Sequence, residues 1–318
     1  MISAKRISFL AFTIILTIAC AAPAVLSQAP PVPLPRPSQK ASVMQTIGVT
    51  DVTIIYSRPP VKGRTIFADA PPSMAARAKG EATLDNQNLR QKGEPIVPWG
   101  HVWRTGANEA TEFIATDDVV INGQPLKAGT YSLHTIHDKD EWTVIFNSDP
   151  GQWGSFSYES AKDVLRVKAK PQMVADNQEW LMYSFDPVTD NSAQVNIRWE
   201  KMRVPFTVEV KDVKATTLAK LRPLVAASKP DDWSTPLQAA RYALQNKDTD
   251  EGMRWLDQSI KVKETFQNLS AKARALFSAG RKDEALALAD QAIAKGKADK
   301  VDTATFEKQV ADMKAGKM

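Results

Sequence analysis

The chain has 318 residues, 43% of them hydrophobic and 24% charged, the balance of an ordinary globular protein long enough for two domains. Its formal charge is +5, of which Lys5 and Arg6 fall in a leader segment, leaving about +3 spread evenly. That excludes the concentrated basic face on which nucleic-acid binding depends.

Residues 1–29 read as an export signal. Lys5-Arg6 give the positive start, and Ile7 to Ala19 give an apolar run too short to span a bilayer comfortably. Small residues follow at Ala19, Ala21, Ala22, Ala24 and Ser27, so the mature chain is expected to begin between Cys20 and Ala29. Cys20, the sole cysteine, ends the string Leu16-Thr17-Ile18-Ala19-Cys20. That string loosely resembles a bacterial lipobox with its leucine one place too far upstream, and lipidation at Cys20 is the alternative to simple cleavage. Either way the mature fold has no thiol for disulfides, structural zinc or catalysis. The expected location is periplasmic or secreted. Residues 30–40 then form a proline-rich tether, stiffened by the fixed φ of proline.

From Ala41 the chain reads as strands. Thr50 to Ser57 is β-branched and largely alternating, and Arg58-Pro59-Pro60 stops it. A basic loop from Val61 to Phe67 follows. Residues 68–92 show little periodicity and read as a surface excursion, with one short helix near Met74 to Lys79. Strands resume at Glu112 to Thr116 and Val119 to Ile121, and Asn122-Gly123 is a strong turn dipeptide. Gly129 to Ile136 and Trp142 to Phe146 come next, the latter apolar on both faces. Further strands are expected at Val164–Lys170, Trp180–Phe185, Gln194–Glu200 and Phe206–Val210. Short strands at this spacing point to an all-β antiparallel sandwich, jelly-roll-like or barrel-like, over residues 41–212.

Past Lys211 the hydrophobic period lengthens to that of helices. Ala240 to Ile260 aligns with Ala273 to Ile293 at an offset of 33 residues, matching Ala-Arg, Asp-Glu and Asp-Gln pairs and the final Ile. Residues 213–318 therefore resemble a small α-helical module of tetratricopeptide-like repeats, which would either bind a peptide or pack against its neighbour.

Specific polar chemistry is densest from Trp99 to Thr111, where two indoles, an imidazole, a guanidinium, a carboxamide and a carboxylate crowd thirteen positions. Such groups must bond to one another or to a ligand when buried. Strand alternation would put Glu109, Thr111 and Phe113 on one face, with Arg104 the nearest partner for Glu109 and Arg58 and Arg64 available from the earlier loop. The histidines are His101, His134 and His137. The last two, three apart on a strand, face opposite ways and make a poor metal pair. No nucleophile elbow, phosphate loop or zinc-protease motif is present.

Several strings carry a family resemblance: Ser57-Arg58-Pro59, Lys62 to Phe67, Val102 to Thr111, Ala128 to Leu133, Glu141 to Asn147 and Asp163 to Val167. Together they resemble the exported bacterial domain-of-unknown-function family 2911, over roughly residues 41–210. Its most specific string is Trp103-Arg104-Thr105-Gly106-Ala107-Asn108-Glu109-Ala110-Thr111. His137-Asp138 departs from the Pro-Gly usual there, which weakens any role for His137. The resemblance implies no established activity.

The expected role is a non-catalytic envelope module that binds a glycan or peptide through Arg58, Arg64, His101, Trp103, Arg104, Asn108, Glu109 and Thr111. One alternative is a hydrolase with Glu109 and His101 as acid and base. Another is a protein–protein scaffold built on the helical repeats. No cofactor, metal or nucleic-acid partner is expected.

Overall fold

The structure, a computed structural model, describes residues 34–77, 82–85 and 91–317. The export signal, Cys20 and the first residues of the tether lie outside the described residues. Among the described residues no helix is long and apolar enough to cross a membrane.

In chain order the strands are β1 (Gln39–Ile47), β2 (Thr50–Arg58), β3 (Phe67–Ala68), β4 (Val97–Pro98), β5 (Val102–Trp103), β6 (Thr111–Ala115), β7 (Val119–Ile121) and β8 (Gln124–Leu126). They continue with β9 (Gly129–His137), β10 (Trp142–Asn147), β11 (Asp163–Ala169), β12 (Gln172–Val188) and β13 (Ser192–Glu209). One antiparallel sheet runs β1-β2-β6-β9-β10-β11, with β5 paired to β9, and a second runs β12-β13-β7-β8. The sheets do not close into a barrel, so the barrel-like form of the expectation is set aside. The short helix α1 (Pro72–Arg77) and the parallel pair β3–β4 occupy the excursion between β2 and β5.

The residues explain these elements. In β2, Val52, Ile54 and Tyr56 are buried while Asp51, Thr53 and Ile55 are half-buried, the period-2 pattern of a strand with one face on the core. Asn122 and Gly123 both take left-handed φ (45° and 84°), as a two-residue hairpin turn requires, and join β7 to β8. Ile54, Phe113, Leu133 and Phe146 from the first sheet meet Leu181, Ile197, Phe206 and Ile121 from the second in a shared core.

The structure departs from the expected strands at the end of the sandwich. The segments Gln194–Glu200 and Phe206–Val210 fall in one strand, β13, which ends at Glu209 and carries Lys201-Met202-Arg203 inside it. Pairing overrides the local break: Met202 and Arg203 lie opposite Met173 and Gln172 of β12. The irregularity survives as a register shift and a left-handed Glu200 (φ 49°).

Helices follow: α2 (Val213–Ala226), α3 (Ser234–Gln245), α4 (Thr249–Val262), α5 (Phe266–Ser278), α6 (Lys282–Ala298) and α7 (Ala304–Lys314). The Asp212 carboxylate caps α2 by accepting the Ala215 N–H at 2.8 Å, and a Thr265–Asn268 capping box starts α5. Val213 packs against the sandwich core, and Lys220 pairs with Asp117 at 2.6 Å. The helices have apolar clusters of their own, around Leu237, Trp255 and Leu256, and around Leu269, Phe306 and Val310. The 33-residue offset lays α4 on α6, with Asp250-Glu251 and Asp283-Glu284 each in a first helical turn.

Candidate functional site

The string from Trp103 to Thr111 folds as a tight turn between β5 and β6. Thr105 and Asn108 take left-handed φ of 52° and 60°. Asparagine tolerates that conformation, whereas a β-branched threonine is strained there. Neighbours hold Thr105 in place. Its hydroxyl lies 3.1 Å from both the Trp103 carbonyl and the Thr135 hydroxyl. Its carbonyl accepts the Thr111 hydroxyl and the Tyr183 hydroxyl, each at 2.9 Å. Gly106 is required by close approach: a Cβ there would stand 2.8 Å from Thr111 Oγ1 and 3.3 Å from the Ser57 carbonyl. The Trp103 indole N–H donates to the Gly106 carbonyl at 3.1 Å. Much of the string's unusual composition therefore serves to hold one strained turn.

This turn forms one wall of a cleft of about 390 Å³. Trp103, Arg104, Gly106, Ala107 and Asn108 line it, together with Lys62 and Arg64 from the loop after β2, Asp85, and Trp199 of β13. The side chains are pinned. The Arg64 Nε donates to the Val61 carbonyl at 3.0 Å and its Nη2 to the Pro60 carbonyl. The Asn108 amide donates to the Ser38 carbonyl at 3.0 Å. Trp103 and Trp199 stack with centroids 5.7 Å apart and planes at 17°, at 3% and 1% exposure.

Of the eight residues named from sequence, Arg64, Trp103, Arg104 and Asn108 converge on this cleft. The other four are not among its walls. The Arg58 Nε is spent on the Leu181 carbonyl at 2.8 Å, tying β2 to β12. The His101 Nδ1 lies 3.0 Å from the Trp99 carbonyl. Thr111 is fully buried beneath the turn. Glu109 is half-buried and lines a separate small recess of about 50 Å³ with Glu112 and Gly151.

The expected Arg104–Glu109 pairing is replaced by another. Arg104 Nη1 meets Asp85 Oδ2 at 2.5 Å, and the same carboxylate oxygen accepts the Ser155 N–H at 2.8 Å. Asp85 sits in the aperiodic excursion, where no local pattern marks it, and Trp199 reads in sequence only as one more apolar strand position. A double-mutant cycle of Arg104→Ala with Asp85→Ala should return a coupling of about 1–2 kcal/mol, the size expected for contacting residues. The matching cycle with Glu109→Ala should return less than about 0.5 kcal/mol. Equal couplings would refute the pairing seen in the structure.

His134 and His137 lie on opposite faces of β9, as their spacing implies. His137 joins Phe67, Trp99, Trp103 and Trp142 in an aromatic cluster. His134 lies against Tyr158 with centroids 4.9 Å apart. Among the described residues no group of three metal-ligating side chains comes together.

Comparison with known proteins gives one match. The family described as "Protein of unknown function (DUF2911)" matches residues 38–208, more than half of the chain, and the chain belongs to it. No curated protein and no solved structure matches.

Proposed function

We propose that this member of the family is an exported, non-catalytic binding module whose ligand is a peptide seated in the Arg64–Arg104 cleft. The observation that carries the reading is convergence: four candidate residues, drawn from two separate sequence stretches, line one open cleft with Lys62 and Asp85. A glycan fits it less well. Sugar rings stack on exposed aromatic faces, but Trp103 and Trp199 cover each other and are almost wholly buried. Hydrolysis by Glu109 with His101 finds no support, since each occupies its own surroundings outside the cleft.

The test is nuclear magnetic resonance of the labelled protein, following the indole N–H signals of Trp103 and Trp199. A random tripeptide library should shift them, and chitotriose should leave them in place. Shifts with chitotriose alone would replace the peptide by a glycan, and silence with both would remove the cleft reading.

Export is part of the proposal. Intact-mass analysis of protein recovered outside the cytoplasm should show a first residue between Cys20 and Ala29. A full-length mass would defeat this, and a lipid increment on Cys20 would make the module membrane-anchored.

A further inference from the structure

Among the described residues that line the cleft, two groups are buried without a hydrogen-bond partner, and both are donors: the Arg104 Nε–H and the Trp199 indole N–H. Asp85, the one acid among the described lining residues, is already engaged by the Arg104 Nη1 and the Ser155 N–H. The other charged walls, Lys62 and Arg64, are cations exposed at the surface. Backbone bonds hold the Arg64 guanidinium in position, so little side-chain freedom remains to be lost on binding. Buried donors call for an acceptor, and the two exposed cations beside them call for a negative one.

We propose that the cleft recognises its ligand by an oxyanion, received by the Arg104 Nε–H and the Trp199 N–H with Lys62 and Arg64 supplying the attracting charge. On the peptide reading above, on which this inference rests, that oxyanion is the C-terminal carboxylate. Specificity then comes from the end of the chain, which explains how a cleft of about 390 Å³ selects a peptide with room for only a residue or two.

The experiment follows the Trp199 indole signal of the full chain, assigned with Trp199→Phe, during three titrations. The probes are the random tripeptide library as free acids, the same library amidated at its C-termini, and inorganic phosphate. The free acids should bind at least tenfold more tightly than the amides and weaken as salt is raised. Replacing both mouth cations, Lys62→Ala with Arg64→Ala, should lower the affinity for the free acids by a further three- to tenfold without changing the folded spectrum. Amides that bind as well as acids would overturn the oxyanion while leaving the peptide reading intact. A response to phosphate alone would keep the oxyanion and overturn the peptide. No response to any probe would overturn both.

Discussion

Lowering the pH from 7.5 to 4 should destabilise the folded protein by about 6 kcal/mol through two histidines alone. His134 and His137 are both fully buried in the sandwich. Burial is the main cause that lowers the pKa of each from 6.5 to about 4. At His134 the nearby Asp85 opposes the shift while Arg104 lowers it further, and both ring nitrogens lack hydrogen-bond partners among the described residues. At His137 the bond between Nε2 and the Pro98 carbonyl, 2.6 Å long, opposes the shift but does not cancel it. Both rings are therefore neutral in the fold at pH 7. Between pH 6.5 and 4 the unfolded chain binds protons that the folded chain refuses, so stability falls as pH falls. Each ring contributes about 3 kcal/mol, fully present above pH 6.5 and lost as pH drops through 4. Urea melts at pH 7.5, 6, 5 and 4 check this. His134→Leu should remove about half of the pH dependence, and a flat profile for the unsubstituted protein would show that the imidazoles are not buried.

Trp199→Ala should cost about 3–5 kcal/mol, the range for removing a large aromatic from a packed core. Trp199 sits at 1% exposure, stacked on Trp103 and edge-on to Phe67 at 6.0 Å, where the two sheets meet. Its loss would leave a cavity beneath the Thr105–Asn108 turn and loosen the cleft wall. Trp153→Ala is the contrast: that indole is 58% exposed, and its removal should stay within about 0.5 kcal/mol. Denaturant melts of the two variants separate the tryptophans that build the fold from the one displayed to solvent. Similar losses for both would contradict the packing described.

Both effects concern residues whose type was plain in the sequence and whose surroundings were not. Three histidines and eight tryptophans are countable at once. That His134 would find no hydrogen-bond partner among the described residues while His137 reaches the Pro98 carbonyl depends on which strands flank β9. Trp103 and Trp199 are 96 positions apart, and only sheet packing stacks them.

The sequence by itself determined what local periodicity and backbone preference encode. Alternation marked β2, Asn122-Gly123 marked a hairpin, and the change of period past Lys211 marked the helices. The Trp103–Thr111 string was legible as the place where polar chemistry gathers, and it forms one wall of the cleft. Tertiary structure alone decided the partners. Glu109 is nearest to Arg104 along that string, yet Asp85, from an excursion with no pattern, is nearest in space. Register and packing between distant segments fix such pairings, and their free energy lies in long-range contacts that leave no trace in short-range spacing.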